Sequence, residues 1–232
     1  MGGEIRFIER PYKIEKRKLL FTEGKDDAAT FKKFLSDLGI TDVQVKGVNG
    51  ISEFMNKLPE IFKIPNFKNV YNLGIIRDAE KNDSNPQTSA KNAYESIFNI
   101  IIKNDKIKAV LGKKVKFKYM NKWKNNKISV GIFITCKLGF GYGTLEDMLL
   151  KPLEGTPEMR CVDRFLRCVR GDSNDPNYLD YFKNSSKNKI LAFLATQKKA
   201  HGSIHVAVEK GIWNIFSPEF SELRDFLEGF GG

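Results

Sequence analysis

Short apolar runs alternate along the chain with segments in which apolar residues recur at helical spacing. The runs are KLLFT at residues 18–22, VQVKG at 43–47, YNLGII at 71–76 and SVGIFIT at 129–135. Short apolar runs that stop at polar or glycine-containing turns indicate strands. Because strands and helical segments alternate, the pattern predicts an α/β fold with a mostly parallel sheet flanked by helices.

The segments between the strands have the 3.6-residue period of amphipathic helices. From Asp26 the apolar residues lie on one face up to Leu38, and Gly39 is suited to end that helix. A second helix is expected from Ile51, with Pro59 ending or kinking it. Further helical patterns cover residues 90–101, 144–150, 157–170, 186–198 and 218–228. We therefore expect a core over 17–150 and a helical C-terminal extension over 151–232 packed on it.

Acidic residues stand where two of the predicted strands end. Glu23 follows the first strand, and Asp78 and Glu80 follow the third. The carboxyl ends of parallel strands meet at one edge of a sheet, so these side chains are expected to share a crevice. Like charges about 4 Å apart repel by roughly 4 kcal/mol at an effective dielectric of 20, which calls for a counter-charge. Oxygen ligands favour Mg²⁺ or Mn²⁺.

Each acidic motif also has a purely structural interpretation. E-G-x-x-D is a common arrangement at a helix start, where acids are stabilised by the helix dipole. D-x-E alone is typical of a solvated loop. The order of the two motifs, each directly after an apolar strand, favours the metal site over these alternatives.

The charge of the chain favours a polyanionic partner. The formal net charge is +11, which suits nucleic acid, although a generally lysine-rich composition also explains it. Lysines alternate with apolar residues over 114–119 and continue into a predicted turn around Trp123, while arginines form a stripe on the predicted helix 157–170. The candidate nucleic-acid contacts are Lys114, Lys116, Lys118, Lys122, Lys124, Arg160, Arg164 and Arg167. A solvated hairpin edge and a solvated helix face are the alternatives.

Several classes of protein are not expected. No apolar run approaches the length of a membrane span, and the N-terminus lacks the apolar stretch of a signal peptide, so the expected location is the cytoplasm with no membrane partner. His201 and His205 have no adjacent acidic or cysteine partner, which argues against zinc. The glycines at 139–143 do not form a phosphate-binding loop, so ATP binding by this chain is not expected.

Five segments resemble a known family. LFTEGKDD at residues 20–27 and IIRDAE at 75–80 resemble the E-G-x-x-D and D-x-D signatures of Toprim domains, which serve topoisomerases, bacterial primases, rRNA-maturing nucleases and OLD-type nucleases. GTLED at 143–147, KILAFLA at 189–195 and EKGIW at 209–213 resemble the stand-alone Toprim-like proteins known as DUF3226. The resemblance implies a Rossmann-like Toprim core.

The resemblance also implies roles for the acidic residues. Glu23 would be either a metal ligand or the general acid/base. Asp78 and Glu80 would be metal ligands supported by Asp27, and Glu146 would complete a second metal position as in OLD-type nucleases. The family usually has aspartate where Glu80 stands, which makes the geometry there less certain. Some relatives use a lysine to neutralise transition-state charge, and the candidates are Lys187, Lys189 and Lys210.

A metal-dependent nuclease acting on DNA or RNA is the predicted function. The resemblance runs from about residue 17 to the C-terminus and leaves no room for the tyrosine-bearing domain of a topoisomerase or the zinc-binding part of a primase. One alternative is a nucleic-acid-binding module whose metal site is degenerate, since Glu80 replaces aspartate. Another is an effector subunit that acts only with a partner ATPase. A symmetric homodimer is the default expectation for assembly.

Overall fold

A mostly parallel sheet forms the centre of the molecule. The computed structural model describes residues 13–79, 88–105, 120–124, 128–136, 141–171, 185–198 and 202–230. Within these ranges the strands are β1 (Lys18–Thr22), β2 (Val43–Gly47), β3 (Asn72–Asp78), β4 (Met120–Lys124) and β5 (Ser129–Thr135), in the order β2-β1-β3-β5-β4. β4 alone among them runs antiparallel, against β5. The predicted α/β class with a mostly parallel sheet is confirmed.

Helices cover both faces of the sheet. They are α1 (Lys25–Asp37), α2 (Ile51–Ile61), α3 (Ser89–Ile101), α4 (Leu145–Leu150), α5 (Pro157–Gly171), α6 (Ser185–Ala195), α7 (Ile204–Glu209) and α8 (Ser221–Glu228). Pro59 lies inside α2 and does not end it, since the helix continues to Ile61 and is held by the buried side chains of Phe54, Leu58 and Ile61. The other predicted outcome, a kink at Pro59, stays a prediction. In the described ranges no helix combines the length and apolar composition needed to cross a membrane.

The basic segment before β5 differs from its prediction. Lys122 and Lys124 were expected in a turn, but they lie in β4, where Trp123 is the register partner of Val130. Pairing with β5 satisfies the backbone groups on the inner side of this edge strand, and local sequence does not reveal that pairing. Lys114, Lys116 and Lys118 lie outside the described residues.

The sheet separates two apolar layers because successive side chains of a strand point to opposite faces. One layer joins β1 and β3 to α2 and α3 and includes Leu19, Phe21, Phe54, Leu58, Leu73, Ile75 and Ile97. The other joins the sheet to α1 and the C-terminal helices and includes Leu20, Phe31, Phe34, Ile76, Trp213, Phe226 and Phe230. Leu149 and Met159 lie in this second layer, so the core continues across residue 150. The division of the chain at that residue stays a prediction.

Candidate metal centre

The turn between β1 and α1 fixes two acidic residues. Glu23 directly follows β1 and is only 8% exposed. The backbone N–H of Gly24 donates a 2.9 Å hydrogen bond to Asp27 Oδ2. A Cβ atom at position 24 would lie 2.6 Å from that same oxygen, so glycine allows this approach without displacing the Asp27 side chain. The turn thereby holds the Asp27 carboxylate against the start of α1.

Asp78 is held at the end of β3 by two neighbouring elements. Its register partner on β5 is Thr135, whose hydroxyl donates a hydrogen bond to Asp78 Oδ1. The backbone N–H of Leu145, at the start of α4, donates to the same oxygen at 3.0 Å. One carboxylate oxygen thus fixes the first turn of α4 to the carboxyl edge of the sheet.

A crevice of about 300 Å³ opens beside these residues. Its walls come from the starts of α1, α2, α4 and α6, and they include Asp27, Asn49, Glu146 and Lys187. Asp27 and Glu146 thus share the wall of this crevice, whereas Glu23 and Asp78, the strand-end residues predicted to converge there, are not among the residues that line it. Glu80 lies outside the described residues.

Burial and the neighbouring carboxylates raise the pKa of two of these side chains. Burial, together with the charge of Glu146, raises the pKa of Asp27 to about 6, against the lowering effects of the Gly24 N–H and Lys187. Burial also raises the pKa of Asp78 well above its usual range, and the charges of Asp27, Glu23 and Glu146 add to this effect. These side chains form a negative cluster that a divalent cation would neutralise, and carboxylate oxygens are the donors that Mg²⁺ and Mn²⁺ prefer.

The cluster is not a closed cage. In the described part of the chain, no three acidic, histidine or cysteine side chains stand together closely enough to surround a metal ion. The donor chemistry fits a divalent cation, and complete ligation requires side-chain movement or a further ligand.

The structure separates the three candidate lysines. Lys187 lines the crevice, and its charge acts on Asp27. Lys189 forms an ion pair with Asp163, with 2.7 Å between Nζ and Oδ1, and faces a separate cavity. Lys210 is exposed just after α7 and is not part of the crevice wall.

The candidate arginines lie on the exposed side of α5. Arg160, Arg164 and Arg167 are exposed, and Phe165 beside them is 59% exposed. Arg160 donates a 2.7 Å hydrogen bond to the carbonyl oxygen of Gly155. We call these three arginines the arginine face.

Two residues near the acidic cluster were missed in the sequence. Thr135 ends the fourth predicted strand, so the strand-end rule that selected Asp78 applies to it as well. Arg77 lies within the quoted IIRDAE segment, yet it is buried, and its Nε lies 3.6 Å from Glu23 Oε2. The available signal was a basic residue inside an otherwise apolar strand.

Together, the sheet and the crevice define an α/β protein with a candidate metal centre at the carboxyl edge of its parallel strands. The chain belongs to the family described as a protein of unknown function (DUF3226), whose sequence model matches residues 17–231. This confirms the resemblance to DUF3226 drawn from the sequence motifs.

Two solved structures are similar to the chain at low identity. A hypothetical protein from Pyrococcus horikoshii OT3 is 16% identical, with a TM-score of 0.45, over 94% of this chain and all (100%) of the other. The C-terminal region of the Xanthomonas campestris pv. campestris OLD protein is 12% identical, with a TM-score of 0.32, over 94% of this chain and 98% of the other. No curated protein is similar enough to count as a match.

Proposed function

We propose that this protein is a divalent-metal-dependent nuclease that hydrolyses phosphodiester bonds of DNA or RNA. The observation that carries the proposal is the meeting of carboxylates from separate elements at the carboxyl edge of the sheet. Asp27 comes from the start of α1, Asp78 from the end of β3 and Glu146 from the start of α4. Their mutual effect on acidity supports a shared site.

The residues of the candidate metal centre suggest separate roles in binding the cation and in catalysis. Asp27, Asp78 and Glu146 would hold Mg²⁺ or Mn²⁺, with Glu80 as a further ligand on the strength of the sequence. A bound divalent cation would supply Lewis-acid polarisation of the phosphodiester and activation of water. Glu23 would bind the cation or transfer a proton. Lys187 would offset negative charge that develops on the phosphoryl group.

The arginine face and β4 provide candidate contacts for the nucleic-acid backbone. α6 joins this face to the crevice, because it carries Lys187 at the crevice and pairs through Lys189 with Asp163 of α5. Arginines that contact phosphates give sequence-independent affinity, which suits a nuclease of broad substrate range. Lys122 and Lys124 on the edge strand β4 would add to this contact.

A cleavage assay tests the proposal directly. Plasmid DNA, single-stranded DNA and structured RNA are incubated with Mg²⁺, Mn²⁺ or EDTA, using the wild type, Asp78→Asn and Glu23→Gln. Glu158→Gln is the matched control, because Glu158 is an exposed acid on α5 away from the crevice. We expect cleavage with metal that EDTA and both site variants abolish and that the control retains. Cleavage that survives both site variants would refute the assigned site.

A second candidate is a nucleic-acid-binding module with an incomplete metal site. It is favoured by the absence of a closed metal cage in the described ranges. Such a module would bind nucleic acid equally well in EDTA and in Mg²⁺ and would cleave nothing. The effector interpretation, which needs a partner ATPase, rests on the sequence resemblance and predicts that cleavage appears only when the partner is added.

A further inference from the structure

Arg77 is a buried cation at the carboxyl end of β3. Thr22 and Ile76 are register partners, so Glu23 and Arg77 occupy the next positions on neighbouring strands. Arg77 Nε and Glu23 Oε2 are 3.6 Å apart, and each side chain is only 10% exposed. Two opposite charges are therefore shielded from water directly beside the candidate metal ligands.

Helix α3 also holds the Arg77 guanidinium, through Ser96. Arg77 Nη1 donates a 2.5 Å hydrogen bond to Ser96 Oγ on α3, and Ser96 Oγ donates to the carbonyl oxygen of Ala93 at 2.7 Å. Met55 of α2 contacts the same nitrogen through its sulfur at 3.9 Å. The guanidinium is thus held between two helices and Glu23.

The position of this pair is difficult to explain by stability alone. Burying two charges is costly, and well-packed apolar residues often serve a fold as well as a buried ion pair does. Arg77 and Asp78 are adjacent in β3, so their side chains leave opposite faces of the sheet. Asp78 meets α4, whereas Arg77 meets α2 and α3 and, by strand register, leaves the same face of the sheet as Glu23.

We propose that Arg77 is the positioning residue for Glu23. It holds the Glu23 carboxylate at the carboxyl edge of the sheet and shares its charge, so that a bound cation does not draw the carboxylate out of place. The expected effect of Arg77 on cleavage rests on the proposed nuclease function. The expected effect of Arg77 on metal affinity does not rest on that function.

A double-mutant cycle tests the pairing. Mn²⁺ affinity is measured by calorimetry for the wild type, Arg77→Gln, Glu23→Gln and the double variant. Arg77→Gln should tighten Mn²⁺ binding, because a released Glu23 carboxylate becomes a better ligand. The factor by which Mn²⁺ affinity rises should be at least about threefold larger when Glu23 is present than when it is glutamine. Equal tightening in both backgrounds would mean that Arg77 acts only as a distant charge, which overturns the inference.

Turnover gives the second readout. Arg77→Gln should lower kcat at least about tenfold with KM for nucleic acid nearly unchanged. Arg77→Lys should recover part of the loss because it keeps the charge. A rise in KM with kcat unchanged would contradict the positioning role, because it would mean that Arg77 acts on substrate binding alone.

Lys18 offers a matched control on β1. It is a buried cation, paired with Asp42 at 2.9 Å and bonded to the carbonyl oxygen of Phe230 at 2.5 Å, at the opposite end of the strand from Glu23. Lys18→Met should lower the melting temperature and leave Mn²⁺ affinity unchanged. If Arg77→Gln does not fold, Ser96→Ala is used in its place. This variant releases the guanidinium without removing its charge, and it should shift Mn²⁺ affinity in the same direction by a smaller factor.

The two proposals fail separately. If no variant and no wild type cleaves any substrate while the Mn²⁺ cycle shows coupling, the nuclease function is wrong and the role of Arg77 stands. If the wild type cleaves but the cycle shows no coupling, the nuclease stands and the role of Arg77 is refuted.

Discussion

The hydroxyl of Ser186 donates a 2.6 Å hydrogen bond to Asp147 Oδ1, which joins the start of α6 to the start of α4. The other oxygen of Asp147 accepts a 3.0 Å hydrogen bond from the backbone N–H of Thr144 and caps α4. Glu146 and Lys187, the neighbours of this bonded pair in the chain, both line the crevice. A single carboxylate therefore links the two helix starts that carry Glu146 and Lys187 into the crevice wall.

Replacing Ser186 should weaken this link without removing any group from the crevice. A hydrogen bond to a charged group contributes about 1.5–3 kcal/mol, and only part of that would be lost from the transition state. We expect Ser186→Ala to lower kcat about threefold to tenfold while Mn²⁺ affinity changes little. Steady-state kinetics on the best substrate measures the effect. Ser36→Ala, an exposed serine of α1, should leave kcat unchanged; if both variants behave alike, the bond does not position Lys187.

Removing one carboxylate should stabilise the protein when no metal is added. The pKa of Asp27 is about 6 in the folded protein and 3.8 in the reference state, so the folded protein binds this proton more tightly than the unfolded chain does. The contribution of Asp27 to stability therefore falls as pH rises through the window from 3.8 to about 6, and the full penalty is present at pH 7. Asp27→Asn should remove a penalty on the order of 1 kcal/mol, which corresponds to a rise in melting temperature of about 2–4 °C.

Thermal unfolding at two pH values, with and without Mg²⁺, checks this expectation. The advantage of Asp27→Asn should shrink at pH 4.5, where the wild-type carboxyl is protonated. Added Mg²⁺ should stabilise the wild type more than the variant at pH 7.5. A variant that is less stable than the wild type at pH 7.5 in EDTA would show that Asp27 is held by favourable contacts and is not under charge repulsion.

Gly74 tests how the C-terminal residues pack on the sheet. It lies in the middle of β3, where a Cβ atom would overlap the ring of Phe230 and lie 2.8 Å from Leu20 Cδ1. Overpacking of a filled core costs about 1–3 kcal/mol, so Gly74→Ala should lower the melting temperature by several degrees. Gly202→Ala is the control, since nothing lies within 4 Å of a Cβ atom there. Equal stability of the two variants would mean that Phe230 does not pack beneath the sheet.

Local sequence patterns were sufficient to predict much of the fold. The bounds of β1, β2 and β5 agree with the predicted runs, because β1 and β5 are mostly apolar and β2 alternates valine with polar residues before a glycine. β4 was missed because an edge strand is stabilised by pairing with β5 more than by its own composition. The short helix α7 was missed because six residues do not establish a helical period.

The candidate site was predictable only where it follows strand ends or family motifs. Those signals selected Asp27, Asp78 and Glu146, but they could not choose among the three lysines. The choice of Lys187 depends on the way α6 docks against α4 through Ser186 and Asp147, a contact between residues 39 positions apart. No local pattern encodes such a contact.

The arginine face should contribute to nucleic-acid binding through phosphate contacts alone. Each lost contact lowers the slope of log affinity against log salt by about 1 and weakens binding to all sequences alike. We therefore expect Arg164→Ala and Arg167→Ala each to reduce the slope by about this amount, as measured by fluorescence anisotropy from low to moderate salt in EDTA. Arg17→Ala carries the same charge change at the amino end of β1, away from the crevice, and should leave the slope unaltered. If Arg17→Ala lowers the slope equally, the net charge of the chain drives binding and α5 is not the contact surface.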